Sequence, residues 1–126
     1  MEENVRFYKC PMCGNVMGLI NGNVEHIRCC GKEMELMRAN VTDAAQEKHV
    51  PVYTRDGDDI VIKVGEIAHP MEEEHYISWI ALVGENQTTR IALKPGEEPI
   101  VRMKYIPNSY LYAYCNKHGL WKNEVK

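Results

Sequence analysis

The chain has 126 residues, 44% hydrophobic and 26% charged, with a formal net charge of −3. That is room for one ordinary domain, or for one small domain and a very small module. A net-acidic chain without a Lys/Arg cluster argues against nucleic acid as a partner, and no apolar run approaches the ~20 residues that span a bilayer.

The start, Met1-Glu2-Glu3-Asn4-Val5-Arg6-Phe7, has neither a basic n-region nor an apolar h-region. A cytoplasmic protein with no membrane partner is therefore expected. Five cysteines is an odd number. In a reducing compartment, clustered cysteines are better read as metal ligands than as disulfides.

Residues 1–36 form a first expected unit. Cys10-Pro11-Met12-Cys13-Gly14 is a tight turn of the kind that points backbone N–H groups at sulfur. Asn21-Gly22 is a hairpin signal, predicting that Val16–Ile20 pairs with Val24–Arg28. Cys29-Cys30-Gly31 follows. The four thiols converge in this reading, and a unit this short needs a metal to hold it together. Cys-x-x-Cys suits one tetrahedral ion, whereas adjacent Cys29 and Cys30 diverge and distort the tetrahedron. Zinc and iron both accept four thiolates, so the metal stays open between a structural zinc knuckle and an iron centre. His26 has no partner in sequence and reads as a surface residue.

Residues 37–126 form the second expected unit. Thr42–Glu47 predicts one helical turn, with Asp43 as its cap and Gln46 at the third helical position. From residue 50 the pattern has period two. Strands are expected over Val50–Thr54, Asp59–Val64, His75–Val83, Thr88–Leu93, Ile100–Ile106 and Ser109–Tyr114, with Glu33–Asn40 as a further candidate. Turn signals every 8–12 residues predict a mainly β protein with an antiparallel sandwich.

Four histidines sit at strand ends or in loops of that sandwich: His49, His69, His75 and His118. Any one of them alone reads as an ordinary histidine. Together with the leftover Cys115 they read as a five-ligand site for a redox iron. Four nitrogens and a sulfur are too many for an ordinary zinc site. They would leave one open position, with a thiolate donating electron density from behind the metal. A Cys115 nucleophile with His118 as its base leaves three histidines unexplained. Glu47-Lys48, directly before His49, reads either as an exposed charge pair or as the groups flanking the open position. There a lysine supplies the local positive charge that an anionic substrate needs.

These residues resemble one family, desulfoferrodoxin, the two-iron type of superoxide reductase. The resemblance rests on Cys10-x-x-Cys13 with Cys29-Cys30, on Glu47-Lys48-His49-Val50-Pro51, and on His69-Pro70-Met71 with His75-Tyr76-Ile77. It is completed by Cys115-Asn116-x-His118-Gly119-Leu120-Trp121. It implies a desulforedoxin-like module, residues 1–36, with an Fe(Cys)4 centre on Cys10, Cys13, Cys29 and Cys30. It implies an immunoglobulin-like sandwich, residues 37–126, with a catalytic iron on equatorial His49, His69, His75 and His118 and axial Cys115. It further implies a homodimer, a rubredoxin-type electron donor and reduction of superoxide to hydrogen peroxide. Glu47 would bind the oxidised iron at rest, and Lys48 would steer superoxide and assist protonation. The runner-up is an electron carrier with two iron centres; a zinc-knuckle interaction module is more distant.

Overall fold

The computed structural model describes residues 5–22 and 26–126. The chain divides into two compact units, one ending at Arg38 and the other beginning at Ala39. Strands dominate, and one short helix is found among the described residues.

In the first unit, β1 (Arg6–Lys9) lies between β2 (Val16–Leu19) and β5 (Glu35–Leu36). A separate two-stranded ribbon joins β3 (Arg28–Cys29) to β4 (Lys32–Glu33). This corrects the expected hairpin. β2 pairs with β1, placing Phe7 opposite Gly18 and Tyr8 opposite Met17. Part of the expected partner strand, including Val24, lies outside the described residues, and His26–Ile27 carry no strand. Phe7 and Tyr8 explain the choice. They give β1 two buried aromatic side chains, whereas the Val24–Arg28 segment is interrupted by Glu25, His26 and Arg28. His26 is exposed, 3.3 Å from Glu33. Among the described residues of this unit, Tyr8, Cys10 and Met34 form a buried apolar cluster flanked by Leu19, Ile27 and Cys29, and Val5 and Phe7 are buried as well.

The second unit is a two-sheet antiparallel sandwich. One sheet has the order β10 (Ile100–Lys104), β7 (Asp59–Val64), β6 (Pro51–Asp56). The other has the order β12 (Gly119–Val125), β11 (Ser109–Cys115), β8 (Ile77–Val83), β9 (Thr88–Ala92). Period-two alternation puts Ile60, Ile62 and Val64 of β7 fully inside, facing Ile80, Leu82, Leu111 and Ala113. β8 and β11 are the central strands of the larger sheet and are buried almost throughout, as a continuous apolar run predicts. Cys115 lies in the same core cluster.

The helix, α1 (Gln46–His49), starts later than expected. Ala45, extended at φ −65° and ψ 111°, stands at the cap position with no side-chain capping bond, so Asp43 does not cap. The helix stops at His49 because Val50 precedes Pro51, and a residue before proline is driven to extended geometry. Val50 has φ −69° and ψ 119°.

Candidate metal centres

The thiol site is built by two tight turns. Cys10 N–H donates to Asn15 O and Gly14 N–H to Cys10 O, closing the first knuckle. Met12 N–H lies 3.4 Å from Cys10 Sγ. In the second knuckle Cys30 takes a left-handed φ of +54° followed by Gly31 at +71°, a conformation uncommon for a residue with a Cβ. That twist is how two adjacent cysteines serve one site. The ligand atoms of Cys10, Cys13, Cys29 and Cys30 all lie within 4.8 Å of one another, and none of the four is in a disulfide.

The four sulfurs do not share charge comfortably. The Cys13 backbone N–H holds Cys10 down to about 6, while the neighbouring Cys13 thiol pushes Cys30 up to about 12. Four thiolates this close need a cation between them.

The imidazole site is assembled from three parts of the second unit: α1, the connection between β7 and β8, which carries both His69 and His75, and the β11–β12 hairpin. His49 ends α1. His69 lies beyond β7, where its N–H donates to Val64 O. His75 sits in a turn closed by reciprocal bonds between Glu72 and His75. Cys115 and His118 come from the β11–β12 hairpin. Its three-residue loop is closed by the Cys115–Gly119 pair, with Gly119 at φ +79°. This geometry favours glycine. The sheet also shifts register between Tyr114 and Cys115, which face Trp79 and Ile77 respectively. Such a bulge re-aims a side chain, here the Cys115 thiol.

The four rings stand at the corners of a square. Neighbouring centroids are 4.6 Å (His49–His69), 4.7 Å (His69–His75), 5.0 Å (His75–His118) and 4.9 Å (His49–His118) apart, at interplanar angles of 78–86°. The His49–His75 pair lies across the diagonal at 6.4 Å and 28°. The ligand atoms of His49, His69, His75 and Cys115 lie within 4.8 Å of one another. His118 joins through Nδ1, 3.1 Å from His49 Nε2 and 3.9 Å from Cys115 Sγ. A fifth donor close to all four corners of a square lies above or below it, so Cys115 occupies one side.

The donor set fits a metal. His49 Nδ1 is 2.7 Å from Ala45 O and His69 Nδ1 is 2.6 Å from Pro70 O. A ring nitrogen facing a carbonyl this closely carries the hydrogen, which leaves Nε2 as a bare lone pair. Yet the two Nε2 atoms are only 3.1 Å apart. Among the described residues, His75 Nε2 is a buried ring nitrogen with no partner at all. Converging lone pairs are unfavourable without a cation. The two edges that meet at His49 are both 3.1 Å, and a square drawn on them would have its centre about 2.2 Å from each corner (3.1 divided by √2), close to the ~2.0–2.1 Å of a zinc–imidazole bond.

Electrostatics point the same way. Burial pushes His69 down to about 4 and lowers His49 and His75. His49, His69 and His75 are thus neutral and ready to ligate at pH 7. Burial raises the Cys115 thiol, opposed by the N–H groups of His118 and Lys117. A cation in the ring is what would hold it as thiolate.

Glu47 and Lys48 are exposed on α1, directly before buried His49. The Glu47 carbonyl accepts Ile67 N–H at 2.9 Å. Glu47 lines an open pocket of about 400 Å³ with Gln46, Val50, Val52, Glu66 and Asn123. Glu47 is not among the gathered donors.

Three supporting residues escaped the sequence reading. The Asn116 side chain accepts Tyr76 N–H at 2.9 Å and donates to Glu74 O at 3.0 Å, clasping the turn that carries His75. Gly65 lies under α1, where a Cβ would come within 2.7 Å of Glu47 O and 3.0 Å of Val50 O. Trp121 packs against His49 and bonds to His118. Asn116 and Trp121 stand inside the ligand motif, the one signal that could have marked them.

A mainly β chain with a four-thiol knuckle site and a sandwich carrying four imidazoles and a thiol is a metalloprotein with two distinct donor sets. The desulfoferrodoxin family model matches residues 41–124. A desulfoferrodoxin from Syntrophotalea carbinolica is 44% identical over 98% of this chain and 99% of its own. A superoxide reductase from Pyrococcus horikoshii is 41% identical over 64% of this chain and 87% of its own. Among solved structures, the superoxide reductase of Treponema pallidum superposes with a TM-score of 0.76 at 28% identity, covering 94% of this chain and 98% of its own. The chain belongs to the desulfoferrodoxin family. That family binds two irons, and this chain offers one donor set for each.

Proposed function

We propose that the chain is a superoxide reductase, combining superoxide with one electron and two protons to give hydrogen peroxide and no dioxygen. The observation that carries this reading is the square of four imidazoles closed on one side by the buried Cys115 thiol. His49, His69, His75, His118 and Cys115 would hold one iron, and Cys10, Cys13, Cys29 and Cys30 the other. When bound, the first iron supplies the electron and an open position for the anion, with thiolate electron density behind it.

The protein's side chains supply the rest. The carbonyls of Ala45 and Pro70 fix the tautomers of His49 and His69 and aim their Nε2 atoms inward, as partners of ligating histidines do. His49, His69 and Cys115 are buried, whereas His75 and His118 are partly exposed, which leaves a small anion an approach. Lys48 lends that approach a positive charge in a net-acidic chain, attracting superoxide, and its ammonium can give up a proton to the product. Glu47 would take the place of the anion between turnovers.

The names of the relatives from Pyrococcus horikoshii and Treponema pallidum support this activity. We extend the reading to a rubredoxin-type electron donor, a homodimer and a cytoplasmic location. No helix among the described residues is long and apolar enough to cross a membrane.

Pulse-generated superoxide tests the function. The reduced, two-iron protein should be oxidised rapidly and release one peroxide per superoxide with no dioxygen. Slow oxidation by superoxide, alongside fast electron exchange with a small redox protein, would make the chain an electron carrier instead.

A further inference from the structure

We propose that Trp121 is a positioning residue for the iron ligands, holding the His49–His118 corner of the imidazole square and thereby setting the symmetry of the ligand field. The proposal rests on the reading above for which metal the square holds.

His49 and His69 each have a backbone carbonyl bonded to the outer ring nitrogen. His118 is held differently. It turns Nδ1 inward, towards His49 Nε2, and its place is set through its backbone. Its N–H lies 3.4 Å from Cys115 Sγ, and its carbonyl accepts the Trp121 indole N–H at 3.1 Å. The same indole lies nearly parallel to the His49 ring, with centroids 4.8 Å apart at 29°. One rigid, fully buried side chain therefore touches two adjacent ligands, one by its face and one by its N–H.

The two ligands come from different parts of the chain, His49 from α1 and His118 from the β11–β12 hairpin. Trp121 is fixed to the strand that ends in Cys115, through the Ala113–Trp121 pair. It thus couples the thiol-bearing hairpin to α1. A residue that only filled the core would need no N–H. A buried indole N–H needs an acceptor, and here the acceptor is a ligand's own carbonyl.

The test uses the full-length, iron-loaded protein. Trp121→Phe keeps a ring against His49 and removes the N–H; Trp121→Leu removes both. Val125→Ala, at a core position on the same strand, is the control for stability alone. Three quantities are read: iron affinity of the sandwich site by chelator competition, rhombicity of the oxidised iron's paramagnetic resonance signal, and Tm. Trp121→Leu should weaken iron binding by ~10–100-fold, the range for outer partners of metal ligands. Trp121→Phe should weaken it several-fold at most and shift the rhombicity. Val125→Ala should lower Tm and leave the other two unchanged.

If both Trp121 variants lower Tm in step with Val125→Ala while affinity and rhombicity stay at wild-type values, Trp121 is a core residue and the proposal falls. Should Trp121→Leu fail to fold, Trp121→Phe decides on its own. A wild-type protein inert to superoxide, with Trp121 variants that still shift the signal, would remove the reductase reading and leave the positioning role standing.

Discussion

The two metal sites are supported in opposite ways. In the first unit little is buried beside the site: among the described residues only Val5, Phe7, Tyr8, Cys10 and Met34 are buried hydrophobics, and Cys10 is itself a member of a buried cluster with Tyr8 and Met34. Cys13 and Cys30 are exposed. In the second unit fourteen buried residues form the core cluster, and Cys115 is one member among them. Its ligands are braced by carbonyls, a clasping Asn116 and a buried indole. The thiol site makes its surroundings, whereas the imidazole site is made by its surroundings. The two donor sets of a single short chain therefore rest on unlike surroundings.

Removing both irons should expose this difference most strongly. Binding a structural metal in a unit this small is folding free energy, about 10–16 kcal/mol for zinc held by short peptides at neutral pH. After chelation, amide exchange over 26–38 and 5–22 should approach that of an unfolded chain, while β7, β8 and β11 stay protected. Cys29→Ser should reproduce the first half of that result: the tetrathiolate chromophore is lost and the sandwich iron stays. Equal protection of both units in the iron-free protein would show that the small unit has a self-sufficient fold.

Cys115→Ser is the counterpart in the sandwich. The core around it is large, so the fold should survive with the tetrathiolate iron in place. The sulfur-to-iron absorption band of the second site should vanish, and the rate with superoxide should fall by more than the ~10–100-fold expected for an outer partner. Persistence of that band would show that another group, not Cys115, supplies the sulfur.

The contrast also explains what was legible in the sequence. Cys10, Cys13, Cys29 and Cys30 lie in two short knuckles, so local spacing reveals them. His49, His69, His75, Cys115 and His118 were legible as a set because little else explains four loop histidines and an odd cysteine. Their cyclic order was not, since it depends on which loops meet at one end of the sandwich. β7 announced itself by strict alternation. β12 did not: Leu120 and Trp121 are both buried and Lys122 and Asn123 both half-buried, so the period-two signal is absent. β1 hid for another reason, because a strand of four residues beside a cysteine turn reads as part of the turn. The late start of α1 was not legible either: Ala45 stands extended at the cap without a side-chain bond, and its carbonyl instead meets the His49 ring one turn on, a local contact that capping statistics ignore.

Gly65→Ala probes the bracing at smaller scale. A Cβ there meets backbone at 2.7 Å (Glu47 O) and 3.0 Å (Lys48 C and Val50 O), and backbone cannot rotate away. Overpacking of this kind costs about 1–3 kcal/mol. The expected result is a lower Tm for the sandwich, a weaker second iron site and an untouched tetrathiolate spectrum. An unchanged second site would mean that α1 tolerates displacement without moving His49.

Lys48→Ile should have the smallest effect on structure, because Lys48 is exposed and lies on the surface of α1. Both irons should remain bound and Tm should barely move. Its charge acts on the encounter: an exposed cation raises the local concentration of an anion, and salt screens that attraction within about 10 Å at 0.1 M. The rate with superoxide should fall several-fold at low ionic strength and converge on wild type as salt rises. A second cation, Lys117, lies in the loop between Cys115 and His118, and its charge reaches both His75 and Cys115. If Lys48→Ile leaves the low-salt rate unchanged, the steering charge is not Lys48, and the same salt series on Lys117→Met would show whether the hairpin carries it.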